Sequence, residues 1–121
     1  MNGYPRFGWV DILRFQQNAK DMLLGNKMRS LRDEQGILQR QVAAYLEIDT
    51  PKFSKIERGD RRAKRSQVIQ MATYFKVDEK EMLTLWLADK ILDALEDEDE
   101  LSLNAIKIAE MEINNERNEQ H

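Results

Sequence analysis

Residues 36–59 read GILQRQVAAYLEIDTPKFSKIERG, a pattern that predicts two short helices joined by a tight turn. The first helix is expected over residues 39–46, because its apolar residues recur on one side at helical spacing. Those residues are Val42, Ala43 and Leu46. A helix of this length is not stable alone in water, so it must pack against a neighbour. The segment at residues 47–49 interrupts the apolar pattern and marks the turn.

The second helix begins after this turn and has two different faces. Asp49 or Thr50 can cap its first turn. Pro51 fits within that turn, and Gly59 provides a left-handed end. Apolar residues spaced three apart face inward, Phe53 and Ile56, and polar or basic residues face outward, Lys52, Ser54, Lys55 and Arg58. Two short helices joined by a tight turn form a helix-turn-helix. The second helix exposes a basic face and can enter a major groove of DNA.

These residues resemble the phage-repressor-like helix-turn-helix family, also called the Xre or Cro/repressor type. The resemblance covers residues 24–85, and three features carry it: Gln39 opening the second helix of the domain, Ala43 at the helix–helix contact, and the run FSKIERG at residues 53–59. It implies an all-α, five-helix, lambda-repressor-like domain. One departure is Glu47, which stands where the family has Gly. A left-handed non-Gly residue costs on the order of 1 kcal/mol, so a slightly strained or reshaped turn is expected.

The sequence divides into three predicted regions. Residues 1–21 form an N-terminal extension, residues 22–87 the helix-turn-helix DNA-binding domain, and residues 88–121 an acidic linker followed by a C-terminal amphipathic helix. The extension is rich in apolar and aromatic residues, which allows either a short amphipathic helix that packs on the body or an incidental addition. The apolar side of the C-terminal helix can fold back onto the domain, pair with a second subunit or hold another protein.

The helices that flank the predicted motif complete its core. The first domain helix is expected over residues 24–35. After the motif, Ser66 can cap a fourth helix, and a fifth helix runs from Glu79 to about Leu87. Three apolar residues of this fifth helix are expected to face inward: Met82, Leu83 and Trp86.

Charge is distributed unevenly along the chain. The net charge of the whole protein is −3 at pH 7. Residues 27–65 contain eleven basic and six acidic side chains, a balance of +5. Residues 77–121 contain four basic and fourteen acidic side chains, a balance of −10. A positive segment on an acidic protein suits a polyanionic partner for one part of the chain and solvent or a different partner for the other.

Composition argues against several classes of function. Cysteine is absent and the single histidine is the last residue, His121. The sequence contains no Gly-rich phosphate loop and no metal-ligand spacing, and many carboxylates cluster in the run at residues 96–100. An enzyme is therefore not expected, and neither is a cofactor or a metal site. No apolar run reaches the length of a membrane span and no signal peptide is visible, so a cytoplasmic protein without a membrane partner is expected.

The resemblance assigns roles to individual residues. Four residues at the start and on the exposed face of the second motif helix would read bases: Thr50, Pro51, Lys52 and Lys55. Seven would contact the DNA backbone: Gln39, Arg40, Ser54, Arg58, Arg61, Arg62 and Lys64. Arg40 is placed to reach either backbone or base edges. Arg32 and Glu57 would form a partly buried ion pair that orients the first helix against the recognition helix.

The resemblance also implies a mode of action. Family members bind double-stranded DNA as two-fold dimers, so a homodimer on an inverted repeat is expected, controlling its own or a neighbouring operon. Small autoregulators of this kind include controller proteins of restriction–modification systems, antitoxins and phage repressors. The alternative is an antitoxin or protein-binding adaptor that holds a partner protein through the C-terminal helices. The cations on the second motif helix favour DNA, since a protein-only adaptor has no need for them.

Overall fold

The computed structural model describes residues 22–119, and within this range the chain forms six α-helices and no β-strand. The helices are α1 (Leu23–Gln35), α2 (Gln39–Leu46), α3 (Thr50–Arg58), α4 (Arg65–Phe75), α5 (Glu79–Ala94) and α6 (Ser102–Glu119). The predicted all-α fold is confirmed. The expectation of an amphipathic helix in the N-terminal extension concerns residues 1–21, which lie outside the described range.

Local capping chemistry sets the ends of the motif helices. The Asp49 side chain caps α3 by accepting the backbone N–H of Lys52 at 2.8 Å, and Gly59 ends that helix with a φ of 85°. Gly36 ends α1 in the same left-handed region, with a φ of 66°. Glu47 ends α2 with a φ of 61° and a ψ of 41°. The turn between α2 and α3 therefore keeps left-handed geometry with a side chain in place of Gly, at a cost on the order of 1 kcal/mol.

Two expected helix boundaries differ from the structure. Lys64, not Ser66, is the N-cap of α4, and its backbone N–H donates to the Gln67 side-chain oxygen at 2.9 Å. The helix therefore starts one residue before Ser66. The other difference is that α5 continues past Leu87 to Ala94. No Gly or Pro interrupts this stretch, and its Leu, Ala and Lys residues favour helix.

The core lies among α1 to α5. It consists of Leu24, Met28, Leu31, Val42, Ala43, Leu46, Phe53, Ile56, Ala63, Val68, Met71, Ala72, Phe75, Met82, Leu83, Leu85 and Trp86. α2 packs against α3 and α4, and α1 packs against α3. Burial of one large apolar side chain contributes about 1.5–3 kcal/mol, so this cluster is what holds the two short motif helices in place.

The chain divides into two compact units, with the boundary between Lys90 and Ile91. The second unit contains α6, whose large apolar side chains are exposed: Leu103, Ile106, Ile108, Met111 and Ile113. At about 3.6 residues per turn, Ile106 and Ile113 lie nearly in line, whereas Ile108 and Met111 point in other directions. The apolar residues of α6 are thus spread over more than one side of the helix, whereas an amphipathic helix with a single apolar side was expected. None of the described helices is both long and apolar enough to cross a membrane.

Candidate nucleic-acid interface

The two faces of α3 have opposite character. Phe53 and Ile56 are buried in the core, so the opposite side of the helix faces outward. Lys52 and Lys55 are exposed, three residues apart and hence about one turn from each other. Thr50 is half-buried and Pro51 is exposed in the first turn. The four residues expected to read bases therefore lie in the first two turns of one helix, and three of them are exposed.

A partly buried ion pair connects α1 to α3. Arg32 Nε donates to Glu57 Oε2 at 2.8 Å, and Arg32 Nη2 donates to Glu57 Oε1 at 2.9 Å. A third Arg32 donor, Nη1, reaches the backbone oxygen of Ile37 at 3.1 Å. Hydrogen bonding to the Glu57 carboxylate raises the pKa of Arg32 above its ordinary value. Such a bidentate pair fixes orientation as well as distance.

The same carboxylate holds a residue that is expected to contact DNA. Gln39 Nε2 donates to Glu57 Oε1 at 2.7 Å, which ties the start of α2 to the end of α3. Arg29 Nε lies 3.9 Å from the same oxygen. Neither of these contacts with Glu57 was predicted from the sequence, in which only the position of Gln39 at the start of α2 pointed to this region. Glu57 therefore organises side chains from α1 and α2 at one place.

Gly25 allows α1 to pass very close to α3. A Cβ at this position would lie 2.0 Å from the backbone oxygen of Glu57, far inside van der Waals contact. Only a residue without a side chain permits this approach. This role of Gly25 could not be predicted from the sequence, because nothing in the local pattern shows which distant backbone will lie against it.

Ser54 and Arg58 interact with each other at the end of α3. Arg58 Nη1 donates to Ser54 Oγ at 3.0 Å, and Arg58 Nε donates to Asp60 Oδ2 at 3.1 Å. The Arg58–Asp60 pair is about half exposed at both side chains. An exposed pair of this kind contributes little to stability, so a phosphate can compete with Asp60 for Arg58.

The basic loop, defined here as residues 60–65, follows α3 and is anchored at its centre. Ala63 is buried, and its backbone oxygen accepts the Trp86 Nε1–H at 2.7 Å. Lys90 Nζ lies 3.9 Å from the centre of the Trp86 ring, a cation–π contact. Arg61 and Lys64 are exposed on either side of the anchor. The loop thus presents cations to solvent from a backbone that α5 holds in place.

A buried carboxylate lies within electrostatic reach of this loop. Asp89 is buried and accepts the backbone N–H groups of Leu23 at 2.9 Å and Leu24 at 3.0 Å, so it caps α1 from α5. Burial raises the pKa of Asp89, against the opposing effects of these two hydrogen bonds and of the Arg62 charge. Arg62 is exposed, and its charge acts on an interior carboxylate as well as on solvent.

The expected backbone-contact residues are spread over α2, α3 and the basic loop. Gln39 is half-buried at the start of α2, and Arg40 is exposed beside it. Among the described residues, no group of three His, Cys, Asp or Glu side chains is arranged to hold a metal ion. The candidate interface therefore consists of polar and cationic side chains on a helix pair and the loop that follows it.

A family model described as a helix-turn-helix domain matches residues 23–85, which is more than half of the chain. The chain belongs to the helix-turn-helix domain family. The matched residues comprise α1 to α4 and the first part of α5. No curated protein and no solved structure matches the chain. A helix-turn-helix domain with a basic second helix indicates a DNA-binding regulator.

Proposed function

We propose that this helix-turn-helix protein is a sequence-specific transcription regulator of the Xre or Cro/repressor type, acting in the cytoplasm. One observation carries the proposal: α3 buries Phe53 and Ile56 while Lys52 and Lys55 remain exposed to solvent. A helix with this division can lie in a major groove without disturbing the core that positions it. In this proposal residues 22–87 form the DNA-binding domain.

Base reading is assigned to Thr50, Pro51, Lys52 and Lys55. A lysine ammonium can donate to O6 and N7 of guanine, and the Thr methyl group can pack against the methyl group of thymine. Pro51 has no donor, so it offers only an apolar contact. Each well-placed base contact contributes about 1–3 kcal/mol of discrimination against a wrong base.

Positioning on the duplex is assigned to residues that contact phosphates. These are Gln39, Arg40, Ser54, Arg58, Arg61, Arg62 and Lys64. Gln39 is already held by Glu57, so binding a phosphate through its amide requires little further ordering of the side chain. The loop cations add attraction through counterion release, which strengthens binding to any sequence alike.

A homodimer on an inverted repeat gives the proposal its specificity, since one recognition helix covers only a few base pairs. The candidate surfaces are on α5, where Leu87, Ile91 and Leu92 are exposed, and on α6. In this proposal residues 88–121 supply an acidic linker and the C-terminal contact with the second subunit. Occupancy of the repeat would control the protein's own or a neighbouring operon.

The test is a salt-dependent binding titration on DNA from upstream of the protein's own gene, with random DNA as the competitor. The wild type is compared with a Lys52→Ala, Lys55→Ala double variant. We expect the wild type to prefer the upstream DNA and the variant to lose that preference while weak random binding persists. A wild type that prefers no DNA at low salt would overturn the proposal.

A second candidate function is an antitoxin or protein-binding adaptor. It is favoured by α6, where Leu103, Ile108, Met111 and Ile113 are each more than half exposed. An antitoxin predicts that residues 102–119 are cleaved rapidly by protease in the isolated protein. A symmetric regulator that dimerises through α6 predicts protection of the same residues, increasing with protein concentration.

A further inference from the structure

The Glu57 carboxylate is the meeting point of three side chains. Arg32 and Gln39 donate hydrogen bonds to it, and Arg29 approaches it to 3.9 Å. Two guanidinium groups thus share one carboxylate, which leaves a net positive charge beside the start of α2. Among these residues, Glu57 has a side chain only 1% exposed, so the charge that remains available to solvent comes from an arginine.

Arg32 and Arg29 have different parts in this cluster. Arg32 uses Nε and Nη2 on Glu57 and Nη1 on Ile37, and its side chain is 13% exposed. Arg29 lies beyond hydrogen-bond distance from Glu57, and its side chain is 40% exposed. Arg32 therefore satisfies Glu57 inside the fold, whereas the donors of Arg29 are available to an anion outside it.

Arg29 is also on the correct side of the carboxylate. It approaches Oε1, the oxygen that accepts both Gln39 Nε2 and Arg32 Nη2, and so it shares an acceptor with the residue expected to contact a DNA phosphate. We propose that Arg29 binds a backbone phosphate of DNA together with Gln39, as part of the same interface. The inference rests on the proposed DNA-binding function and adds an α1 residue to it.

The competing interpretation is that Arg29 pairs with a neighbouring acidic residue of α1 and not with a DNA phosphate. Asp33 follows Arg29 by one helical turn, and with Asn26, Ser30 and Glu34 these residues line a groove of about 230 Å³ on the outer side of α1. An Arg–Asp pair four residues apart stabilises a helix by about 0.2–0.5 kcal/mol. The structure contains no Arg29–Asp33 ion pair within 4.0 Å among its described residues.

The test compares salt-dependent binding of the full chain and three variants to upstream and random DNA. Arg29→Gln removes the charge, Arg29→Lys keeps it, and Lys80→Gln removes an exposed charge outside the motif and the basic loop. The slope of log K against log salt is negative, and we expect Arg29→Gln to make it shallower by about 0.9 per bound protomer on both DNAs. Arg29→Lys and Lys80→Gln should keep the wild-type slope.

Two outcomes would overturn the inference: an unchanged slope in Arg29→Gln, or an equal decrease in Arg29→Gln and Lys80→Gln, which reports net charge only. Failure of the wild type itself to bind DNA would instead overturn the proposed function, so the two failures are distinguishable. Thermal melting of each variant is measured in parallel, and the titrations are run well below the lowest melting temperature. A loss of binding caused by unfolding is thereby separated from the loss of a phosphate contact.

Discussion

Gly25 shows how one residue without a side chain determines the distance between two helices. Gly25→Ala would place a Cβ 2.0 Å from the Glu57 backbone oxygen, so α1 must move away from α3. We expect this variant to lose about 1–3 kcal/mol of unfolding free energy or more, the usual cost of overpacking. Urea denaturation measures the loss.

The matched control is Gly36→Ala. Gly36 has a φ of +66° and no atom within 4 Å of a built Cβ, so its substitution costs only the strain of a left-handed residue, about 1–2 kcal/mol. The two substitutions therefore differ in the cause of their cost: a steric clash between helices at Gly25 and backbone strain at Gly36. Gly25→Ala should weaken DNA binding at temperatures where it remains folded, whereas Gly36→Ala should not. Equal stability and equal binding in the two variants would contradict the close approach of α1 to α3.

The raised pKa of Asp89 predicts that the stability of the protein depends on pH. Because burial raises its pKa in the folded protein, the folded state binds this proton more tightly than the unfolded chain does. Stability from this residue is therefore greatest below the ordinary Asp pKa and falls as pH rises through the raised value. Unfolding free energies of the wild type and Asp89→Asn, measured from pH 3 to pH 7, should show the wild-type value falling relative to the variant.

An opposite trend would mean that the hydrogen bonds from Leu23 and Leu24 outweigh burial. The hydrogen bonds that Asp89 accepts from Leu23 and Leu24 could not be predicted from the sequence. Asp89 and Leu23 are 66 residues apart, and a local pattern does not show which distant backbone groups a side chain will meet. The Arg32–Glu57 pair was expected only because the resemblance to a known family supplied it, and the DNA-contact roles of individual residues remain predictions.

At the level of elements, local chemistry predicted the motif well. The bounds of α2 and α3 follow from the cap at Asp49, the end at Gly59 and the apolar spacing between them, all of which act within a few residues. The prediction that Ser66 caps α4 was wrong, because the Gln67 side chain accepts the Lys64 N–H from inside the helix. The predicted end of α5 near Leu87 is too early because it followed the end of the family-like domain. The helical spacing continues through Ile91, Leu92 and Leu95, and no Gly or Pro stops the helix at Leu87.

The turn between α2 and α3 has a testable cost. Glu47 adopts φ 61° without being Gly, which costs about 1–2 kcal/mol, and Gly recovers this at the expense of about 0.5–1 kcal/mol of chain entropy. We expect Glu47→Gly to raise the unfolding free energy by up to about 1 kcal/mol. Lys76→Gly, at the same backbone conformation after α4, should do the same, and Glu47→Ala should not. A loss of stability in Glu47→Gly would show that the Glu47 side chain contributes contacts.

The Arg32–Glu57 ion pair between α1 and α3 leads to a second prediction about how the helices are held together. Removing one member of a buried ion pair leaves an uncompensated charge, whereas replacing both with apolar residues is often close to neutral. We expect Arg32→Met to cost about 3–5 kcal/mol and an Arg32→Met, Glu57→Met double variant to cost much less. Additive costs in the double-mutant cycle would mean that the two residues act independently. Gln39 loses its acceptor in the double variant, so DNA affinity should fall even where stability recovers.

The whole molecule combines a positive DNA-binding segment with an acidic C-terminal region. All buried hydrophobic residues in the described part of the chain lie between Leu24 and Trp86, so none of them belongs to the acidic C-terminal region that begins at residue 96. Residues 96–121 contain nine acidic and two basic side chains, and their removal changes the net charge from −3 to +4. A chain truncated after Leu95 should therefore melt at nearly the wild-type temperature.

The same truncation tests how the acidic region affects binding. With seven net negative charges removed, random DNA should be bound more tightly at low salt, because less charge repels the phosphates, and the difference should shrink as salt screens it. Binding to an inverted repeat then separates the two dimer surfaces. If α5 holds the dimer, the repeat is bound more tightly as well. If α6 holds it, affinity for the repeat falls while affinity for random DNA rises, because each protomer then binds its half-site alone.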